Sequence, residues 1–206
     1  MQTSDFADPL EYFGHAHQKQ LEICMLLEHI ADGLPDRVDR QHCFQVANFL
    51  RSEFAFHQAD EELGLFPLLR QHCNDVPGLC RSLERLEEEH MDDEGFADEI
   101  VDALDNLVRG APQHVPETFA YMLRGFFACL RRHIAFENEI LLPAARRCLD
   151  AVQRQALVAV MQSNRSVDMA RLFSQSPCVS AKTAILRALG TPSKQPKEIS
   201  RRRLQP

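Results

Sequence analysis

Apolar residues recur along this chain every third or fourth position, and strand-like alternation is nearly absent. That period belongs to amphipathic helices. A first helix is expected from about Pro9 to Asp32, stopped by DGLPD. A second is expected from about Asp39 to His72, ending before NDVPG, and a third from Val76 or Pro77 to Arg109, ending at GAP. A fourth opens near Pro116 and reaches about Leu149. Glycine and proline in the connections give the stop and start signals. A shorter fifth helix is expected from Asp150 to Asn164. Four long helices joined by short connections predict an all-α, up-down-up-down four-helix bundle over residues 1–164. Residues 165–206 read as a C-terminal extension. It is weakly helical around Ala181 to Leu189, then basic and disordered through TPSKQPKEISRRRLQP.

The apolar stripes are interrupted in the same way on three helices. The second carries Ala47, Leu50, Phe54, His57, Glu61, Leu65 and Leu68. The third carries Leu79, Leu83, Leu86, His90, Glu94, Ala97, Val101 and Leu104. The fourth carries Phe119, Met122, Phe126, Leu130, His133, Glu137, Ile140 and Ala144. Each stripe thus turns a histidine, and a glutamate one turn later, toward the core. On the first helix His17 falls on the stripe of Leu10, Phe13, Cys24 and Leu27, whereas His15 falls beside Glu11, Lys19 and Glu22. Measured from the turns near Val76 and Pro112, the polar pairs stand at matching depths, so at about 1.5 Å per residue they share one layer.

A single core histidine is ordinarily structural, bonded to a carbonyl or to a nearby glutamate. Three pairs plus His17 at one depth reverse that reading. Buried carboxylates without a counter-charge are costly. Four histidines and three glutamates exceed the four ligands of a structural zinc. Two metals bridged by carboxylates fit the count, and imidazole with carboxylate suits iron or manganese. His15, His29, His42, His72 and His114 read as surface residues. Glu62 reads as solvated or as a supporting partner of the site.

The set His17, His57-x-x-x-Glu61, His90-x-x-x-Glu94 and His133-x-x-x-Glu137, with ELGLFPLL and FENEILLPAAR, resembles the hemerythrin-like, HHE cation-binding family. The resemblance spans about residues 9–164. It implies a non-haem di-iron centre of two iron ions with an oxo or hydroxo bridge. One iron would take His90, Glu94 and His133, the other His17 and His57, and Glu61 and Glu137 would bridge them. Dioxygen would bind at the open position of the second iron. Animal oxygen carriers of this family have histidine where Glu94 stands, and an aspartate one residue beyond the position of Glu137. A carboxylate at 94 would favour ferric iron. The expected function is therefore dioxygen binding, or sensing of oxygen, iron or redox state. A di-iron oxidase or peroxidase acting on oxygen, peroxide or nitric oxide is the first alternative, and iron storage or buffering the second. Whether the chain is an enzyme stays open.

Charge and cysteine usage narrow the setting. The net charge is −7, yet the segment from Lys182 onward carries seven basic residues against Glu198, so the body is more acidic still. An acidic body is a poor nucleic-acid binder and a plausible collector of cations. The seven cysteines are odd in number, scattered, and without a C-x-x-C pair. They read as thiols in a reducing compartment. No apolar run approaches a membrane span and the N-terminus lacks a signal-peptide pattern. The expected location is cytoplasmic. The expected partner is dioxygen or a related small molecule, joined by a protein partner if the chain is a sensor.

Overall fold

A computed structural model describes residues 8–111, 113, 115–167 and 181–190. It is all-α, with no strand among the described residues. Helix α1 is Pro9–Gly33, α2 covers residues 40–72, α3 is Leu79–Val108, α4 covers residues 116–148, α5 is Ala151–Arg165 and α6 is Ala181–Ala188. No helix is long and apolar enough to cross a membrane, among the described residues. The expected disorder of the basic tail lies outside the described residues.

The helix starts have local causes. Asp8 accepts from Leu10 N–H at 2.9 Å with Pro9 in the first turn. Asp39 caps α2 through Gln41 and His42. Asp150 and Gln153 form a reciprocal capping box for α5. Helix α3 begins later than the pattern suggested, because Gly78 takes φ 77°, a left-handed conformation that ends the preceding turn.

Two of the long helices are not regular. In α2 the turns Leu50–Phe54 and Glu61–Leu65 are π-helical, and in α4 so is Glu137–Leu141. Phe66 N–H donates to Glu61 O and Leu142 N–H to Glu137 O, each five residues back. The next residue is proline in both cases, Pro67 and Pro143. A proline has no N–H and its ring crowds the carbonyl four residues earlier, so the preceding turn widens. A widened turn thus begins on each core glutamate and is followed in both helices by Phe or Leu and then the repeated proline. The widening corrects two stripe positions. Ile140 was expected inside and is 47% exposed, while Leu141 is fully buried; likewise Leu68 is only half-buried and Leu69 is fully buried. One extra residue rotates the following face by about 100°.

The apolar core is split. One cluster holds Leu27, Val46, Leu50, Phe54, Ile100, Leu104, Leu123 and Phe126. The other holds Leu10, Phe13, Leu65, Phe66, Leu69, Leu83, Leu141 and, from α5, Leu157 and Met161. Along α1 the sequence passes from Phe13 in one cluster to Ile23 in the other, with His17 between. The histidine layer is therefore roofed and floored by hydrocarbon. Helix α5 lies over the π turn of α2 at Gly64, where a Cβ would meet Leu157 Cδ1 at 2.6 Å.

Candidate metal centre

Six of the seven expected residues converge between the two apolar clusters. His17 is 1% exposed, His57 4%, His90 1%, His133 6%, and Glu61 and Glu137 0%. They form two overlapping groups that share both glutamates. In one, His17, His57, Glu61 and Glu137 each offer a ligand atom, all within 4.8 Å of one another. In the other, Glu61, His90, His133 and Glu137 do the same. The carboxylates are split between the groups. Glu61 Oε1 is 3.5 Å from His57 Nε2, and its Oε2 is 3.4 Å from His90 Nε2. Glu137 Oε2 is 3.2 Å from His17 Nε2, and its Oε1 is 3.0 Å from His133 Nε2.

Glu94 departs from the expected set. Its carboxylate accepts from Thr183 Oγ1 at 2.7 Å and lies 3.3 Å from Lys182 Nζ, both on α6. It stands outside both groups. Its place on the α3 stripe is real, but a cation from α6 draws the side chain away. The same Lys182 is 3% exposed and lies 3.0 Å from Glu62.

The far nitrogens of three imidazoles are held from behind. His17 Nδ1 bonds Asn138 at 2.7 Å, His90 Nδ1 bonds Glu62 at 2.9 Å, and His133 Nδ1 bonds Glu89 at 3.1 Å. Such partners fix ring orientation and aim the other nitrogen inward. Asn138 and Glu89 were missed in the sequence. The useful signal was position: Asn138 directly follows Glu137, and Glu89 directly precedes His90. Phe13 packs edge-on to His57 and Phe66 stacks on His90, centroids 5.6 and 5.7 Å away. His15, His29 and His72 are exposed and His42 is half-buried, while His114 lies outside the described residues.

The layer's own side chains form a cluster short of positive charge. Burial, with the neighbouring Glu137, pushes the Glu61 carboxyl well above its ordinary value. Burial also pushes His57 and His90 down, toward the neutral form that binds metal. For His133 burial opposes the charge, but the Glu137 carboxylate and its neighbours outweigh it and lift the imidazole to about 9. Glu137 is held well below the usual carboxylate range, its burial outweighed by His133 and His17. Protons on Glu61 and His133 thus offset the crowding of the two carboxylates.

The chemistry of the donor set fits metal. His17 Nε2, both Glu61 oxygens and Glu137 Oε2 are buried without a hydrogen-bond partner among the described residues, although imidazole and carboxylate approach to 3.2–3.5 Å. Buried polar atoms are rarely left so. Close approach without hydrogen-bond alignment is what lone pairs aimed at a common ion produce. Two cavities adjoin the layer. One of about 550 Å³ lies between α3 and α4 and reaches His133. One of about 200 Å³ reaches His57 beside Tyr12, Gln20 and Phe49.

A helical bundle with overlapping histidine and glutamate groups in its core defines a class of metal-binding protein. Residues 8–145 match the family model of the Hemerythrin HHE cation binding domain. The chain belongs to that family, as the resemblance of its histidine and glutamate spacing implied. A comparison with curated proteins finds no match.

Proposed function

We propose that this protein carries a non-haem di-iron centre and uses it to bind dioxygen or to sense oxygen, iron or redox state. The observation that carries the reading is the division of the two carboxylates: Glu61 and Glu137 each turn one oxygen to each histidine pair. His17 and His57 would hold one iron, His90 and His133 the other, and the two glutamates would bridge them, with an oxo or hydroxo bridge as the family resemblance implies. Imidazole with carboxylate suits iron, and the occupied centre supplies redox and oxygen chemistry. The chain's own contribution is to aim the rings through Asn138, Glu62 and Glu89 and to keep water out with Phe13 and Phe66. Glu94 is left out of the ligand set. Sensing gains support from Lys182, which joins α6 to Glu62 and so to His90.

The test begins with anaerobic iron loading and metal analysis, where two irons per chain are expected. Stopped-flow mixing of the diferrous protein with oxygenated buffer follows. A coloured species that reverts under vacuum to the diferrous protein is the expected outcome. Rapid one-way oxidation, with repeated turnover of oxygen, peroxide or nitric oxide when a reductant is supplied, would establish the di-iron oxidase or peroxidase alternative. Iron uptake far beyond two per chain would establish storage or buffering. A single tightly held zinc with no second site would overturn all three.

A further inference from the structure

The cavity between α3 and α4 has features that a metal centre alone does not need. Its volume, about 550 Å³, lies in the range of small-molecule sites. Leu86, Phe96, Met122, Phe126 and Phe136 line it. One lining group does not belong on an apolar wall. Asp93 is only 6% exposed, and no hydrogen bond or close ion pair holds it among the described residues; the His133 imidazole and, more weakly, Lys182 act on it only through their charge. A carboxylate so placed is costly unless something arrives to meet it. Its companions on the lining include Glu89 and Asp92. Of the lining cations, Arg85 is already engaged by Glu89 at 2.7 Å, Arg132 is exposed at the rim, and His133 is held by Glu89 at 3.1 Å and Glu137 at 3.0 Å. The buried charges on the lining are thus Asp93 and an imidazole already paired with two glutamates, and the walls are hydrocarbon and aromatic.

We propose that this cavity binds a hydrophobic amine, its ammonium on Asp93 and its chain or ring against Phe96, Met122 and Phe126. The cavity is formed by side chains of α3 and α4, so the proposal goes beyond the di-iron reading and does not depend on it. Because His133 also lines the cavity, a bound amine would lie beside the metal layer.

The test uses the full metal-free chain and calorimetric titration with n-octylamine, octanol and sodium octanoate. Wild-type protein is expected to bind the amine more tightly than the other two. Asp93→Asn keeps the shape and removes the charge, so amine affinity falls about tenfold or more, the loss of one charge-assisted hydrogen bond, while octanol binding is kept. Gly125→Leu fills the space from the wall, since an added Cβ at Gly125 meets no atom within 4 Å. It should weaken all three probes while helicity stays at the wild-type level. No octylamine binding, octanoate bound as tightly as octylamine, or binding unchanged by Gly125→Leu would each overturn the proposal. Iron stoichiometry on the same preparations separates the two readings: a chain that binds octylamine yet holds no iron refutes the metal function and leaves this one standing.

Discussion

Asp93 and Glu94 are adjacent on α3 and differ in everything that matters to the site. Glu94 lies on the helical face predicted to supply a ligand, yet it is bound by Lys182 and Thr183. Glu94→Ala is therefore expected to keep about as much iron as wild type, whereas Glu61→Ala or Glu137→Ala, each removing a carboxylate proposed to bridge, should lower the iron content by metal analysis. In the same assay His17→Ala should lower iron content and His15→Ala should not. Asp93 faces the cavity, and burial raises its carboxyl to about 6. A carboxyl whose folded value lies above its unfolded value binds its proton more tightly in the native state. Its stabilising effect is full below the unfolded value of 3.8 and is lost as pH rises through about 6. Melts of metal-free Asp93→Asn and wild type should therefore diverge with pH. The variant should gain about 2–3 kcal/mol relative to wild type between roughly pH 4 and pH 7.

At the scale of elements, α5 is joined to the bundle by one buried polar network. Asp60, fully buried on α2, accepts from Asn164 at 2.8 Å and lies 2.8 Å from the Arg165 guanidinium, which also donates to the Tyr12 hydroxyl at 2.7 Å. Burial pushes Asp60 up to about 6 even with that arginine present. Arg165→Ala leaves the carboxylate without its counter-charge and is expected to cost about 3–5 kcal/mol in denaturant unfolding. Arg165→Lys keeps the charge but not the forked geometry and should cost less. The π turns act at the same scale. By rotating the residues that follow Glu61 and Glu137, they bury Leu69 and Leu141 in place of Leu68 and Ile140.

For the whole molecule, the centre sits between two apolar clusters and draws ligands from all four long helices. A metal held there binds the folded chain and not the unfolded one, so it stabilises by mass action. Removing iron with a chelator is expected to lower the Tm by roughly 5–10 °C, read by circular dichroism, and restoring ferrous iron anaerobically should recover it. Identical melting curves with and without iron would show that the layer is not coupled to folding.

The helical pattern alone determined the all-α class, the four long rods, the depth of the polar layer and the choice of His17 over His15. These follow from a regular 3.6-residue period, which is a property of each helix by itself. What the tertiary structure decided depends on contacts between segments distant in the chain. Lys182, 88 residues beyond Glu94, takes that carboxylate, and no local pattern announces an ion pair of that span. Asn138, Glu62 and Glu89 gain their roles only when another helix places an imidazole nitrogen within hydrogen-bond reach. The π turns break the period from which Ile140 and Leu68 were placed, although the prolines that widen them were in plain view. The α3–α4 cavity and Asp93's place on its wall have no trace in the sequence, because a cavity is space between helices rather than a property of either one.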